Sequence, residues 1–290
     1  MNSQPVTLAK NGRIDWPENR PAALTLSFDN GFLGSIQASL PVLAEYGAKA
    51  SYNIITAMTG AQFESLPTAS WETLMNVWGQ GHELACHSDH HRPMANWSSE
   101  AGKLWAGLAN SPQPLVFLQH IWRTARALQT KHQPAPRPGP RNNLKASRLE
   151  MEQRLPGLQV QSFVYPAGRF NRASQREAAE AGFFSARTAL PGTNRASTSP
   201  FALRALVWSP GTRISEVIPW LDLATRRHEW LIIVFHEVGV QNSSGYPFFC
   251  SLQDFQGLLE QARKRNLWIT TQAEAARYVY QENRERRQPA

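Results

Sequence analysis

Apolar positions along this chain fall in short runs of strand length that alternate with amphipathic stretches of helix length. The runs at 23–28, 50–55, 83–87, 162–165, 183–187, 203–207, 230–235 and 267–270 predict strands. Between them, amphipathic patterning predicts helices over 33–46, 71–79, 144–154, 174–181, 214–227, 252–265 and 273–282. A parallel neighbour can be reached only by a crossover long enough to hold a helix, so this alternation implies an α/β fold with mainly parallel strands. Seven or eight such units predict a closed or nearly closed barrel, with reactive groups just past the carboxyl ends of its strands.

One stretch breaks the rhythm. From about 96 to 143 the chain is first Trp-rich and then Pro/Arg-rich, including Pro134-Ala135-Pro136-Arg137-Pro138-Gly139-Pro140. Prolines this dense do not enter a helix interior, so 133–141 reads as an extended loop, preceded by a helical pattern over 115–129. The segment is an insertion, either a lid or cleft wall or a plain excursion from the surface. The expected layout is an N-terminal extension over 1–20, one barrel domain over 21–280 and a basic tail over 281–290.

Composition narrows the function classes. With 290 residues and 42% hydrophobic content the chain can bury a large core, and no run reaches membrane-spanning length. Residues 1–16 lack the apolar centre of a signal peptide, so the expected location is cytoplasmic. Cys86 and Cys250 make no disulfide framework and read as buried free thiols. Thirty basic residues against twenty-two acidic ones give a net charge of +8, concentrated at 123–148 and 277–287. That balance suits an anionic substrate or surface, or simply a solvated face. Nucleic acid is not an expected partner, because no helix-turn-helix, zinc-finger or aromatic RNA-binding pattern accompanies the charge.

Four of the eight histidines lie close together, at His82, His87, His90 and His91. The four-residue spacing of His87 and His91 lets two imidazoles meet one metal ion if the loop takes a helical turn. Other polar groups fall at predicted strand ends: Asp29-Asn30-Gly31 after 23–28, Pro166-Ala167-Gly168-Arg169 after 162–165, and His236-Glu237 after 230–235. Taken singly these are an Asx turn, a tight turn and a rim histidine. Together they describe a metal-assisted hydrolase with an acid and a base at hand. His82 should face away from His87 and pack. His90 points to solvent or takes the place of His91. Cys86, adjacent to His87 on a strand, faces the other side as a buried packing residue.

The ordered set Leu26-Ser27-Phe28-Asp29-Asn30-Gly31, His87-Ser88-Asp89-His90-His91, Phe163-Val164-Tyr165-Pro166-Ala167-Gly168 and Ile233-Val234-Phe235-His236-Glu237 resembles the polysaccharide deacetylase (NodB-homology) family. Its patterns are T-F-D-D-G, H-S/T-x-x-H, a Y-P-x-G turn and an apolar strand ending in histidine. The resemblance runs from about Pro21 to Tyr280. It implies a distorted (β/α) barrel that removes acetyl, or a related acyl group, from an amide nitrogen with a divalent metal, usually zinc. Asp29 would be the general base and His236 the general acid. His87 and His91 would be metal ligands, with Asn30 at the third ligand position. The Tyr165-Pro166-Ala167 turn would line the substrate site, where a backbone N–H would help the metal hold the oxyanion.

The chain departs from the family at three places. Asn30 replaces the usual second aspartate, so the metal loses an anionic ligand and should be held more weakly. Val164 stands where many relatives carry an arginine beside the base. The aspartate that often orients the catalytic histidine has no counterpart, and Trp208 in that region either walls the acyl pocket or packs in the core. The expected substrate is an acetylated amino sugar, as a small molecule or oligosaccharide. The alternatives are a cyclic-amide or formamide hydrolase on the same fold, or a catalytically silent relative that binds a carbohydrate or protein.

Overall fold

The run Ala23–Phe28 forms the central strand β1, and all six residues are buried. In the computed structural model, which describes residues 13–95, 111–114, 118–119, 122–123 and 142–285, it leads into α1 (Leu33–Glu45) and β2 (Ser51–Ile54). A small hairpin, β3 (Gln62–Phe63) and β4 (Leu66–Pro67), precedes α2 (Trp71–Gly79) and β5 (Glu83–Cys86). Next come α3 (Leu144–Arg154), β6 (Ser162–Val164), α4 (Arg172–Glu180), β7 (Ser185–Arg187) and β8 (Leu206–Val207). The chain continues through α5 (Ile214–Arg227), β9 (Trp230–Phe235), β10 (Glu237–Gly239) and β11 (Phe249–Ser251). It closes with α6 (Leu252–Lys264), β12 (Trp268–Ile269) and α7 (Gln272–Glu285).

The main sheet is wholly parallel, in the order β7-β6-β5-β2-β1-β9-β8, with β12 laid against the first two residues of β1. A parallel bridge from Arg187 to Leu203 brings the segment before β8 against β7, so the sheet curls round on itself. This is the α/β barrel that the alternation of elements implied. Its outer layer is apolar: Leu24, Leu26 and Phe28 of β1 and Leu231, Ile233 and Phe235 of β9 share one core with the helices. The inward positions divide. Ala23, Trp230, Ile232 and Val234 pack on Ala275, Ala276 and Val279 of α7, which closes one end. Thr25, Ser27, Ser51, Asn53, Ser162 and Ser185 are polar yet fully buried.

Residues 13–20, assigned from sequence to an extension, include Ile14 and Trp16, both buried in that same closing cluster. Trp16 stacks on Tyr278, with ring centroids 5.7 Å apart. At the other end, α7 runs to Glu285 and takes in the start of the expected basic tail. The expected strand at 203–207 shortens to Leu206–Val207, since Leu203 contributes only the bridge. Most of the expected helix at 115–129 and all of the proline-rich loop at 133–141 lie outside the described residues. No helix among the described residues is long and apolar enough to cross a membrane.

Candidate active site

Because parallel strands all point one way, the polar residues that end β1, β5, β7 and β9 gather at one mouth of the barrel. The chain leaves β1 through Asp29, then turns on two left-handed residues, Asn30 (φ 72°) and Gly31 (φ 64°). Asp29 is 6% exposed, and one of its carboxylate oxygens is anchored. Its Oδ1 accepts from Arg187 Nη2 and, at 2.6 Å, from Asn53 Nδ2, which also donates to Ser27 Oγ at 2.8 Å. Its Oδ2 lies 3.9 Å from His87 Nε2 and 3.9 Å from His236 Nε2. Burial alone would push this carboxyl up. The Arg187 guanidinium outweighs it and holds the group below the usual carboxylate range. Asp29 is therefore an anion with one oxygen anchored and the other aimed at two imidazoles.

His87 follows β5 and is 1% exposed. Its Nδ1 lies 2.9 Å from the Val164 carbonyl, which can only accept, so Nδ1 carries the proton and Nε2 presents its lone pair. Burial lowers the His87 pKa to about 4, which keeps the ring neutral. His91 packs edge-on against it, with centroids 4.6 Å apart, and burial, then His87, hold it well below its ordinary value. The loop between them is not a helical turn. Ser88 (φ 65°) and His91 (φ 54°) are left-handed, and His91 N–H donates to Ser88 Oγ at 3.0 Å. Two neutral imidazoles beside a buried anion form a nitrogen donor pair. Asn30 Oδ1 is buried and has no hydrogen-bond partner among the described residues. Among those residues no three His, Cys, Asp or Glu side chains group as a metal site. His87, His91 and the unpartnered amide oxygen of Asn30 are the neutral donors that this mouth would offer a divalent ion.

His236 follows β9, with its side chain 18% exposed. Ser35 Oγ donates to its carbonyl at 2.7 Å and accepts from Val238 N at 3.0 Å, fixing the backbone there. Phe248 and Tyr246 lie beside the ring, with centroids 5.0 and 6.3 Å away. The Tyr246 hydroxyl donates to Glu64 at 2.7 Å, which ties this loop to the β3–β4 hairpin, and Phe63 of that hairpin packs on His91.

The other sequence-picked residues are placed as follows. Tyr165 is buried, its ring stacks on Phe170 and its hydroxyl donates to Phe201 O at 3.1 Å, so only its backbone belongs to the turn at the mouth. Pro166 is buried and Ala167 half-buried with φ 53°. Trp208 is 2% exposed and stacks on Phe235, within the outer apolar layer. His82 packs on Tyr52 and accepts the Ala50 N–H, away from the site. His90 is exposed beside Asp89, and the Cys86 thiol meets Ser147 in the core.

Sequence reasoning missed Arg187 and Asn53. Arg187 pairs in register with Val164 and reaches Asp29 from β7, the strand beside β6. Its signal was present, since it is the polar residue that ends the expected strand at 183–187. Asn53 stands in mid-strand, where alternation turns it inward.

Residues 17–116 match the family described as polysaccharide deacetylase, a span that holds Asp29, Asn30, His87 and His91. No curated protein matches the chain. Solved structures do. A putative polysaccharide deacetylase from Mycobacterium smegmatis aligns over 100% of this chain and 96% of its own, at 15% identity and a TM-score of 0.55. The Xyl-CE4 domain of a multidomain xylanase from the hindgut metagenome of Trinervitermes trinervoides aligns over 88% and 89%, at 13% identity and a TM-score of 0.49. The Streptococcus pyogenes deacetylase PplD in complex with acetate aligns over 62% of each chain, under two thirds of its length, at 19% identity and a TM-score of 0.41. The likeness to the mycobacterial protein is one of fold.

Proposed function

We propose, since residues 17–116 match the polysaccharide deacetylase family, that the chain is a hydrolase removing an acyl group of acetyl size from the amide nitrogen of an amino sugar. The observation that carries this reading is Asp29, a buried anion whose free oxygen lies 3.9 Å from both His87 Nε2 and His236 Nε2. The substrate is a small molecule or an oligosaccharide.

An amide is a poor electrophile and an amine a poor leaving group, so the site must activate water and deliver a proton. Asp29, kept ionised by Arg187, takes a proton from the attacking water through Oδ2. His236 Nε2, on the same side, gives a proton to the departing nitrogen as the C–N bond breaks. The products are acetate and a free amine. The backbone of the Tyr165–Ala167 turn borders the acyl oxygen. A divalent metal, zinc by preference, held by His87, His91 and Asn30 Oδ1, would supply Lewis acidity toward the carbonyl and the water.

Release of acetate from acetylated amino-sugar monomers and oligomers by zinc-supplemented protein tests the reading. Asp29→Asn and His236→Ala should each lower kcat by about 10²–10⁴-fold, the usual worth of a positioned proton-transfer group. Turnover of cyclic amides or formamides alone would move the activity to those substrates. No product from any of the three classes would sink the hydrolase. A second reading, a silent relative that binds carbohydrate, is favoured by Asn30, which removes the charge of the third metal ligand.

A further inference from the structure

Beneath the mouth, the residues of β2 and β7 that anchor Asp29 carry further buried polar atoms that this contact does not engage. Asn53 must turn its amide nitrogen to Asp29, because a carboxylate only accepts. Its Oδ1 is therefore directed elsewhere, buried and without a hydrogen-bond partner among the described residues. Arg187 spends Nη2 on Asp29 and Nη1 on the Thr188 carbonyl, and its Nε, equally buried, has no partner there. The third group rises from the barrel floor. Gln272, the first residue of α7, is 0% exposed; its side-chain Nε2 donates to Ser185 Oγ at 3.2 Å and its Oε1 is without a partner among the described residues. Its backbone N–H donates to Ser51 Oγ at 2.9 Å.

These contacts fix where Gln272 lies. Ser185 is two residues before Arg187 on β7, and Ser51 two before Asn53 on β2, so each shares a face with its neighbour. Gln272 therefore sits one inward-facing layer below Asn53 and Arg187, a step of about 6.6 Å at the usual strand rise. None of the three atoms bonds to another, and two hydrogen bonds in series through one oxygen span roughly 5.6–6 Å.

We infer that Asn53, Arg187 and Gln272 enclose a binding site for one buried water beneath Asp29. Two amide oxygens and one guanidinium N–H are the complement of a water molecule, which donates twice and accepts. Should the Gln272 amide be rotated, taking the Ser185 hydroxyl as donor, the set becomes one acceptor and two donors, which water also matches. A cation is disfavoured by the guanidinium, and an anion by the two carbonyl dipoles and Asp29 above. The bound water braces Arg187 from behind and so links the floor helix to the carboxylate at the mouth. This assignment does not depend on the hydrolase reading.

The test is a crystal structure of the full chain at about 1.5 Å or better, joined to a count of long-lived internal waters in solution by ¹⁷O relaxation dispersion. The site should show a single water within about 3.2 Å of Asn53 Oδ1, Arg187 Nε and the Gln272 amide. Gln272→Leu, close in size and apolar, should lose one long-lived water while keeping the parent's circular dichroism. Direct bonds among the three side chains, an empty site in the density, or an equal water count in parent and folded variant would each overturn it. If Gln272→Leu does not fold, the parent crystal decides alone.

Discussion

At the scale of single residues the site is organised around one ion pair. Arg187 and Asp29 are both almost fully buried, at 1% and 8% side-chain exposure. Removing one partner of such a pair leaves the other charge stranded, at a usual cost of about 3–5 kcal/mol. Arg187→Met should therefore lower stability by about that much in urea unfolding and abolish acetate release. Arg187→Lys should keep the charge but not the double anchorage, and regain only part of both. An Arg187→Met protein as stable and active as the parent would mean that the pair does not set the state of Asp29. His82 offers a pH-dependent counterpart remote from the mouth. Its ordinary value of 6.5 falls to about 4 in the folded chain, by burial first and then by Lys49. The unfolded chain thus binds the extra proton between those values, and its stability contribution, complete above pH 6.5, is lost as pH falls toward 4. His82→Asn, whose amide oxygen can still accept the Ala50 N–H, should flatten that part of the Tm-against-pH curve.

At the scale of elements, the turn Tyr165–Gly168 shows why a short motif is fixed. Gly168 has φ +65°, and a Cβ placed there would meet the Ala189 Cβ at 2.5 Å and its backbone nitrogen at 2.9 Å. Both neighbours are main chain or next to it, so they cannot swing aside. Gly168→Ala should cost more than the roughly 1 kcal/mol of an ordinary left-handed alanine and displace the turn from the mouth. Thermal unfolding and KM together would register it; an unchanged Tm would show that the loop gives way freely. Elements of this kind were legible in the sequence because each announces itself locally. The apolar run of β1, the Trp71–Gly79 helix and the polar endings after β1, β5 and β9 all follow from neighbours in the chain. The partnership of Arg187 with Asp29 was not legible, since it depends on a ring closure that places residues 158 positions apart side by side. The β3–β4 and β10–β11 ribbons, of two or three residues per strand, carry too few positions to show any period.

At the scale of the whole molecule, the site's contents feed back on the stability of the barrel. His87 and Asn30 sit at the ends of neighbouring parts of one sheet, on strands β5 and β1 with only β2 between. An ion held there, as proposed, would brace the folded sheet and would have no such site in the unfolded chain. By mass action it stabilises by about 2.7 kcal/mol at a hundredfold excess over its dissociation constant. Zinc should therefore raise the Tm of the parent and leave that of His87→Ala almost unchanged. Asn30→Asp separates the active and silent readings through two opposite effects. Without metal, a second carboxylate beside the buried Asp29 adds repulsion and desolvation, so the variant should melt below the parent. With zinc the added anion becomes a ligand, so the rise should exceed the parent's and the order of the two proteins should invert. Inversion together with a gain in acetate release would mean that Asn30 tunes an existing metal centre. A parent indifferent to zinc, with a variant that gains both zinc stabilisation and activity, would mean that this one amide had silenced the site. A variant indifferent to zinc as well would remove the metal from His87, His91 and position 30 altogether.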